Sequence, residues 1–199
     1  MLRRLATTAA CALALTVTDP ALARADTRGF IEVRGDVWSM DDPSRGQHTR
    51  VPNRRQGDIR RTFFSHRDHQ VIIRTKFAEL ARKGGFILMA TKLQTNTGLV
   101  RRVFLTASPF QRTHQWRGLT EVNRPNGTAV DCGATHRIDY TQNVVRIRVP
   151  RVCLNDPRSV RASLAVAFYE RGGRDVFTDN PLHRRATVHL PPLTAPIRH

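Results

Sequence analysis

A strict alternation of apolar and charged residues stands out in the last third of the chain. Val145, Ile147 and Val149 alternate with Arg146 and Arg148. Side chains of a β-strand point to opposite faces at every second residue, so this pattern predicts a half-buried strand with arginines on its solvent face.

A hairpin is predicted just before this strand. A two-residue turn at Gln142-Asn143 pairs Tyr140 with Val145, Ile138 with Ile147 and His136 with Val149. The same register places Cys132 opposite Cys153. Residues directly opposite on antiparallel strands have the Cα separation that a disulfide needs, so we predict a Cys132–Cys153 bond. On the other face, Arg146 would oppose Asp139 and Arg148 would oppose Arg137.

The rest of the chain also predicts short strands separated by turn residues. The long polar stretch 39–57 is typical of a loop, and residues 77–82 favour one or two helical turns. No long helical pattern and no alternation of strands with helices occurs. We therefore predict one all-β domain over residues 26–199, an antiparallel β-sandwich of immunoglobulin-like or jelly-roll-like type. The further predicted strands cover 30–33, 59–64, 70–77, 86–93, 99–105, 116–122, 160–169 and 186–190.

Residues 1–25 have the composition of a secretory signal peptide. Arg3 and Arg4 precede an apolar stretch over 5–17, and Ala23-Arg24-Ala25 is a small-x-small cleavage site. We expect cleavage near Ala25-Asp26 and a secreted protein, with the choice between Sec and twin-arginine export left open. The apolar stretch is shorter than a membrane-spanning helix, and no later segment is long enough to span. An oxidising compartment agrees with the predicted disulfide.

The charge balance adds a second feature. The chain of 199 residues has 33 Lys+Arg against 16 Asp+Glu, a formal net charge of +17. Such an excess favours association with a polyanion such as teichoic acid, nucleic acid or an anionic surface, and it is equally typical of a solubilising coat. Aromatic residues are only 7% of the chain, which argues against sequence-specific nucleic-acid binding.

Motifs for catalysis are absent from the sequence. No nucleophile elbow, phosphate-binding loop, zinc-protease helix or EF-hand loop occurs. We therefore expect no catalytic residues, no cofactor and no assigned metal site. His66 and His69 could approach one metal ion on a turn. An arginine between them and only one nearby acid argue against that site, so the run from His66 to His69 is interpreted as a polar turn.

Acidic residues cluster early in this basic chain. They offer oxygen ligands for Ca²⁺, and the surrounding arginines offer ion pairs instead, so both interpretations stay open. The set comprises Asp36, Asp41, Asp42 and Asp58.

Exposed aromatic rings can act as platforms for sugars. Trp38 lies beside the long polar stretch and Trp116 begins a predicted strand. With Asp36 and Asp58, these two tryptophans form the candidate ligand-binding set.

Several sequence features resemble a known group of proteins. The pairs Gly35-Asp36 and Gly57-Asp58, the run from Ile138 to Leu154, and Asp179-Asn180 are similar to uncharacterised small secreted β-sandwich proteins of high-GC Gram-positive bacteria. The two Gly-Asp pairs also resemble DOMON-like sugar- or haem-binding sandwiches. The resemblance implies a fold and supplies no active site.

These observations lead to one expected function and two alternatives. We expect an exported, non-enzymatic binding module that associates with cell-envelope polysaccharide. The first alternative is a basic secreted protein that associates with polyanions through its arginine-rich surface. An unrecognised hydrolase is the second.

Overall fold

Antiparallel strands make up more than half of the described protein. The computed structural model describes residues 26–32, 35–42, 47–110, 115–170, 174–182 and 190–199. Within these ranges there is no α-helix, only two short 3-10 helices at Gln115–Arg117 and Arg151–Leu154. No helix in the described part of the chain is long and apolar enough to span a membrane. The strands are β1 (Asp26–Ile31), β2 (Trp38–Asp42), β3 (Gln47–Arg50), β4 (Ile59–His66), β5 (Gln70–Phe77), β6 (Phe86–Thr95), β7 (Val100–Ala107), β8 (Leu119–Asn123), β9 (Thr135–Asp139), β10 (Val144–Pro150), β11 (Ser159–Glu170), β12 (Asp175–Asp179) and β13 (Ile197–Arg198).

The strands form two sheets. The five-stranded sheet has the order β1-β4-β5-β10-β9, and the eight-stranded sheet has the order β3-β2-β12-β11-β6-β7-β8, with β13 paired to β11. Every pairing between these strands is antiparallel. The all-β, antiparallel class predicted from the sequence is confirmed.

One hydrophobic cluster is lined by both sheets. Phe64, Ile73 and Ile147 from the five-stranded sheet belong to the same buried cluster as Met89 and Leu164 from the eight-stranded sheet. Buried and more exposed residues alternate along β5, β6 and β10, whereas β4 and β11 also bury Ser65 and Ser163 beside Phe64 and Leu164. The period-two pattern of β10 therefore identifies its inward face correctly, while the run Val71-Ile72-Ile73, which suggested a strand buried on both faces, buries only one face of β5.

The Cys132–Cys153 disulfide is present, although the predicted hairpin register was wrong. The two Cα atoms lie 5.4 Å apart. Ile147 pairs with His136 and Val145 with Ile138, because residues 140–143 form a turn two residues longer than predicted.

The shift by two residues changes the partners and preserves the faces, since strand side chains alternate with period two. On the outer face Arg146 therefore opposes Arg137 and not Asp139, and Arg148 opposes Thr135 and not Arg137. Cys132 lies before β9 and Cys153 lies in the second 3-10 helix, so the disulfide joins segments just beyond the ladder.

Three local predictions differ from the structure. Residues 39–57 were predicted as a loop, but β2 and β3 pair there as a hairpin. Residues 77–82 contain no helical turn, because Glu79 makes a bridge to Gln56 and Ala78 donates its N–H to the Asp58 carbonyl. The strand predicted from Trp116 begins only at Leu119, after the first 3-10 helix. The predicted strand 186–190 falls mostly outside the described residues.

Candidate functional site

Arginines form a row across the outer face of the five-stranded sheet. Arg74 on β5 lies directly opposite Arg146 on β10, and Arg146 lies directly opposite Arg137 on β9. Arg74 and Arg137 are exposed and Arg146 is half-buried, whereas Ile73 and Ile147 beside them are fully buried. The row therefore points away from the core.

The same surface carries three more cations. Lys76 pairs with Arg61 on β4. Arg148 lies two residues after Arg146 and therefore on the same face of β10. We call this surface the basic face. It consists of Arg61, Arg74, Lys76, Arg137, Arg146 and Arg148.

The basic face has a shape that can hold a chain-like ligand. Two adjoining depressions of about 450 Å³ and about 340 Å³ share Arg74 and Lys76 in their walls. The first also includes Phe63, whose ring lies 5.6 Å from the Arg61 guanidinium carbon. The second also includes Asp139, which forms an ion pair of 3.8 Å with Arg137.

Close packing of like charges is the unusual feature of this surface. Neighbouring strands are about 4.8 Å apart, well inside the Debye length of about 8 Å at physiological ionic strength. Like charges directly opposite on antiparallel strands destabilise a sheet. The row Arg74–Arg146–Arg137 contains two such contacts in succession.

A second unusual feature is a group of acidic residues, which we call the carboxylate cluster: Glu32, Asp36 and Asp179. One ligand oxygen from each lies within 4.8 Å of the others. Asp36 and Asp179 are buried and Glu32 is half-buried. Asp58 lies beside the cluster, is 2% exposed and pairs with Arg60 at 3.2 Å.

Glycines at positive φ position two of these acids. Gly35 has φ +71° and Gly57 has φ +85°, and each is followed by a buried aspartate. A Cβ on Gly35 would lie 2.3 Å from the Pro52 carbonyl oxygen, and one on Gly57 would lie 2.4 Å from the Phe168 ring. Both turns therefore require glycine, which gives the repeated Gly-Asp pairs a physical cause.

Burial and mutual repulsion raise the pKa values of the carboxylate cluster. Burial is the largest cause for Glu32, followed by the charges of Asp179 and Asp36. Burial also raises the pKa of Asp179. Hydrogen bonds from two backbone N–H groups, Ile59 at 2.7 Å and Asn180 at 2.8 Å, act in the opposite direction. Burial raises the pKa of Asp36 too, opposed by its own backbone N–H and the more distant Arg50.

The predicted ligand-binding set is divided between different environments. Asp36 and Asp58 come together at the carboxylate cluster, while Trp38 lies half-buried on β2, paired with Arg50 and Thr178. The side chains of Asp41 and Asp42 lie outside the described residues.

Trp116 is part of an aromatic pair at the edge of the core. Its ring packs edge-on against Tyr140 at 6.4 Å, and its carbonyl accepts the Tyr140 hydroxyl at 2.6 Å. Burial raises the pKa of Tyr140 to about 12. The contacts of this tryptophan are therefore those of a packing residue, and its platform role stays a prediction.

The two histidines of the predicted polar turn lie in different environments. His66 ends β4 and is fully buried, with Nδ1 3.3 Å from the Ile197 carbonyl oxygen. His69 is exposed. The polar-turn interpretation therefore applies to residues 67–69 and not to His66. His66 is buried because its side chain lies on the inward face of β4.

Sequence reasoning missed two members of the carboxylate cluster. Glu32 was assigned to a predicted strand, and Asp179 was noted only as part of an Asp-Asn pair. Asp179 ends the short strand β12, which lies inside the eight-stranded sheet between β2 and β11. No local signal connects it with Glu32, which is far away in the chain.

Comparison of the chain with protein-family models, with curated proteins and with solved structures found no match.

Proposed function

We propose that this protein is a non-enzymatic binding protein for anionic polysaccharide or teichoic acid of the cell envelope, and that the basic face is its binding surface. The observation that carries the proposal is the uninterrupted row Arg74–Arg146–Arg137. This arrangement costs stability in the free protein, because each arginine repels the next. An anionic polymer lying across the row would relieve that repulsion and release counter-ions.

The surroundings of the row support a polymer rather than a small anion. The two depressions adjoin at Arg74 and Lys76 and together include Phe63 and Asp139, so several cations line one continuous surface. Binding would then be the sum of several weak contacts, each sensitive to salt.

The aromatic content of the face favours a glycopolymer over nucleic acid. Phe63 is the aromatic residue in the walls of these two depressions. Proteins that bind single-stranded nucleic acid use several aromatic rings, on which successive bases stack. Charge contacts with only one ring suit a chain of acidic sugars or phosphodiesters.

Two further expectations from the sequence accompany this proposal. We propose that the two sheets form one β-sandwich, supported by the hydrophobic cluster that both sheets line. We also propose that the protein is exported by its N-terminal segment. The disulfide is consistent with an extracellular location.

Co-sedimentation with insoluble polymers across a salt series tests the proposal. We expect the oxidised protein to pellet with wall material rich in teichoic acid and with an insoluble acidic polysaccharide at low salt. Binding should fall steeply toward high salt, and neutral polysaccharide should not retain the protein. Salt-resistant binding to neutral polysaccharide that Trp38→Ala abolishes would contradict the proposal and favour an aromatic sugar site. Preferential binding to single-stranded nucleic acid would contradict the glycopolymer assignment.

A further inference from the structure

The carboxylate cluster lies where the ends of both sheets meet. Glu32 directly follows β1 of the five-stranded sheet. Asp36 lies shortly before β2, and Asp179 ends β12, both in the eight-stranded sheet. Three oxygen atoms, one from each residue, are therefore held close together, although Asp179 is far from Glu32 and Asp36 in the chain.

Asp36 gives an independent indication that the cluster takes a ligand. Its side chain is 5% exposed, and its Oδ1 is buried without a hydrogen-bond partner. The buried Oε2 of Glu32 also has no partner. Leaving a buried carboxylate oxygen unpaired is costly, so such an oxygen aimed into a cluster of acids indicates that a cation belongs there.

The nearby arginines do not take that cation's place. The Nε of Arg50 donates to the Gly35 carbonyl at 2.9 Å, and Arg60 pairs with Asp58. Among the described residues, no ion pair joins an arginine or lysine to Glu32, Asp36 or Asp179. The charges of Arg50 and Arg60 act on Asp36, yet neither guanidinium forms an ion pair with a carboxylate of the cluster.

We propose that Glu32, Asp36 and Asp179 bind one Ca²⁺ ion. Ca²⁺ takes carboxylate and carbonyl oxygens at about 2.3–2.6 Å, so two ligands on opposite sides lie roughly 5 Å apart. The 4.8 Å limit between the three oxygens agrees with that geometry. Mg²⁺ requires about 2.0–2.1 Å and a tighter octahedron, which fits the cluster less well. The remaining positions are open to water and backbone carbonyls.

The ion has a route to the site. Glu32 contributes to the wall of the solvent-open depression of about 450 Å³ that also contains Arg60 and Phe63. An entry path of this kind is one requirement for a metal site. A bound Ca²⁺ would tie the end of β1 to the ends of β2 and β12, so it would stabilise the junction of the two sheets. This inference does not rest on the function proposed for the basic face, although the two sites share this depression.

Calorimetric titration of the chelator-treated protein with CaCl₂ tests the proposal. We expect one Ca²⁺ per chain, and a melting temperature that rises with the logarithm of the free Ca²⁺ concentration. Asp36→Asn should weaken Ca²⁺ binding at least about tenfold, and Glu32→Gln should do the same. Asp131→Asn, a change of an exposed acid elsewhere, is the matched control and should bind as the wild type does.

A second measurement locates the ion without any substitution. In a Ca²⁺ titration followed by amide NMR spectra, the largest shifts should occur at Ile59 and Asn180, whose N–H groups donate to Asp179. Absence of binding at 10 mM Ca²⁺ would overturn the proposal. So would wild-type affinity in both cluster variants, or shifts concentrated away from these amides.

Discussion

Arg74 and Arg146 lie directly opposite each other on β5 and β10, on the face of the sheet that points away from the core. Arg146 has a second arginine, Arg137, on its other side. A cross-strand pair of like charges lowers the stability of a sheet, and nothing in the core requires arginine at these three positions. The arrangement is understandable if the binding of an anionic polymer offsets that loss.

Replacement of Arg146 should therefore stabilise the free protein. We expect Arg146→Thr to raise the free energy of unfolding by about 0.5–1 kcal/mol at low salt, because it removes two repulsive contacts. The gain should shrink at high salt, where the repulsion is already screened. Urea denaturation at two ionic strengths measures both effects.

Arg148→Thr is the matched control for that experiment. Arg148 is on the same strand and the same face, but its cross-strand neighbours are Ile72 and Thr135. Its replacement should change stability less, and with less dependence on salt. Equal stabilisation by both substitutions would contradict the local repulsion and indicate only an effect of net charge.

Loss of the disulfide should lower stability substantially. Cys132 and Cys153 are separated by 21 residues, and closing a loop of that size stabilises a protein by about 3 kcal/mol in the chain-entropy model. We expect the double variant Cys132→Ala/Cys153→Ala to lose about that amount in denaturant unfolding. A loss below about 1 kcal/mol would show that neighbouring packing already fixes the ends of β9 and β10.

Gly57 should tolerate no side chain. In Gly57→Ala the new methyl group would meet the Phe168 ring at 2.4 Å, in addition to the strain of positive φ. We expect a loss of more than about 2 kcal/mol in the free energy of unfolding, from overpacking and backbone strain together.

The variant Gly127→Ala distinguishes the effect of overpacking from that of backbone strain. Gly127 has nearly the same φ, +87°, and its Cβ position has no atom within 4 Å. Gly127→Ala should therefore cost only the backbone strain, about 1 kcal/mol. Equal losses at the two positions would mean that contact with Phe168 is unimportant.

His66 should make stability depend on pH. Burial is the main cause that lowers the pKa of His66 below its ordinary value of 6.5, with smaller contributions from the charges of Arg151 and His199. The unfolded chain therefore binds this proton at a higher pH than the folded protein does. Stability should fall as the pH drops below about 6.5, by at most about 1.4 kcal/mol per pH unit for one proton.

Denaturant unfolding between pH 5 and 8 measures that dependence. His66→Gln keeps a donor for the Ile197 carbonyl and cannot titrate, so the slope below pH 6.5 should decrease. His69→Gln removes an exposed histidine and should leave the slope unchanged. An unchanged slope in His66→Gln would show that this buried histidine is not responsible.

The sequence pattern predicted which face of a strand a residue occupies better than it predicted the residue's cross-strand partner. Ile147 was assigned to the buried face correctly, yet its partner is His136 and not Ile138. Alternation determines which face a residue occupies, whereas the turn length determines what it opposes. The turn is longer than two residues, in part because Asp139 accepts the Gln142 N–H and Asn143 takes a positive φ of 51°.

The candidate sites needed the fold for the same reason. The arginines of β9 and β10 were predicted on a solvent face, but Arg74 joins them only through the pairing of β5 with β10. Glu32 and Asp179 meet through contacts between distant segments, which local periodicity does not encode. The β2–β3 hairpin was missed because glycine, proline and charged residues between 39 and 57 weaken the strand signal.

Two charge-matched triple variants test the central claim most directly. The face variant is Arg74→Gln/Arg137→Gln/Arg146→Gln. The control variant removes three exposed arginines from other segments, as Arg102→Gln/Arg124→Gln/Arg158→Gln, and has the same net charge.

Binding of both variants to teichoic acid should be measured over a salt series. We predict that the face variant loses at least about tenfold in affinity, and that its dependence of log K on log salt becomes shallower by about one for each lost contact. The control should bind like the wild type. Equal loss in the two variants would contradict a defined binding face and assign the association to net charge alone.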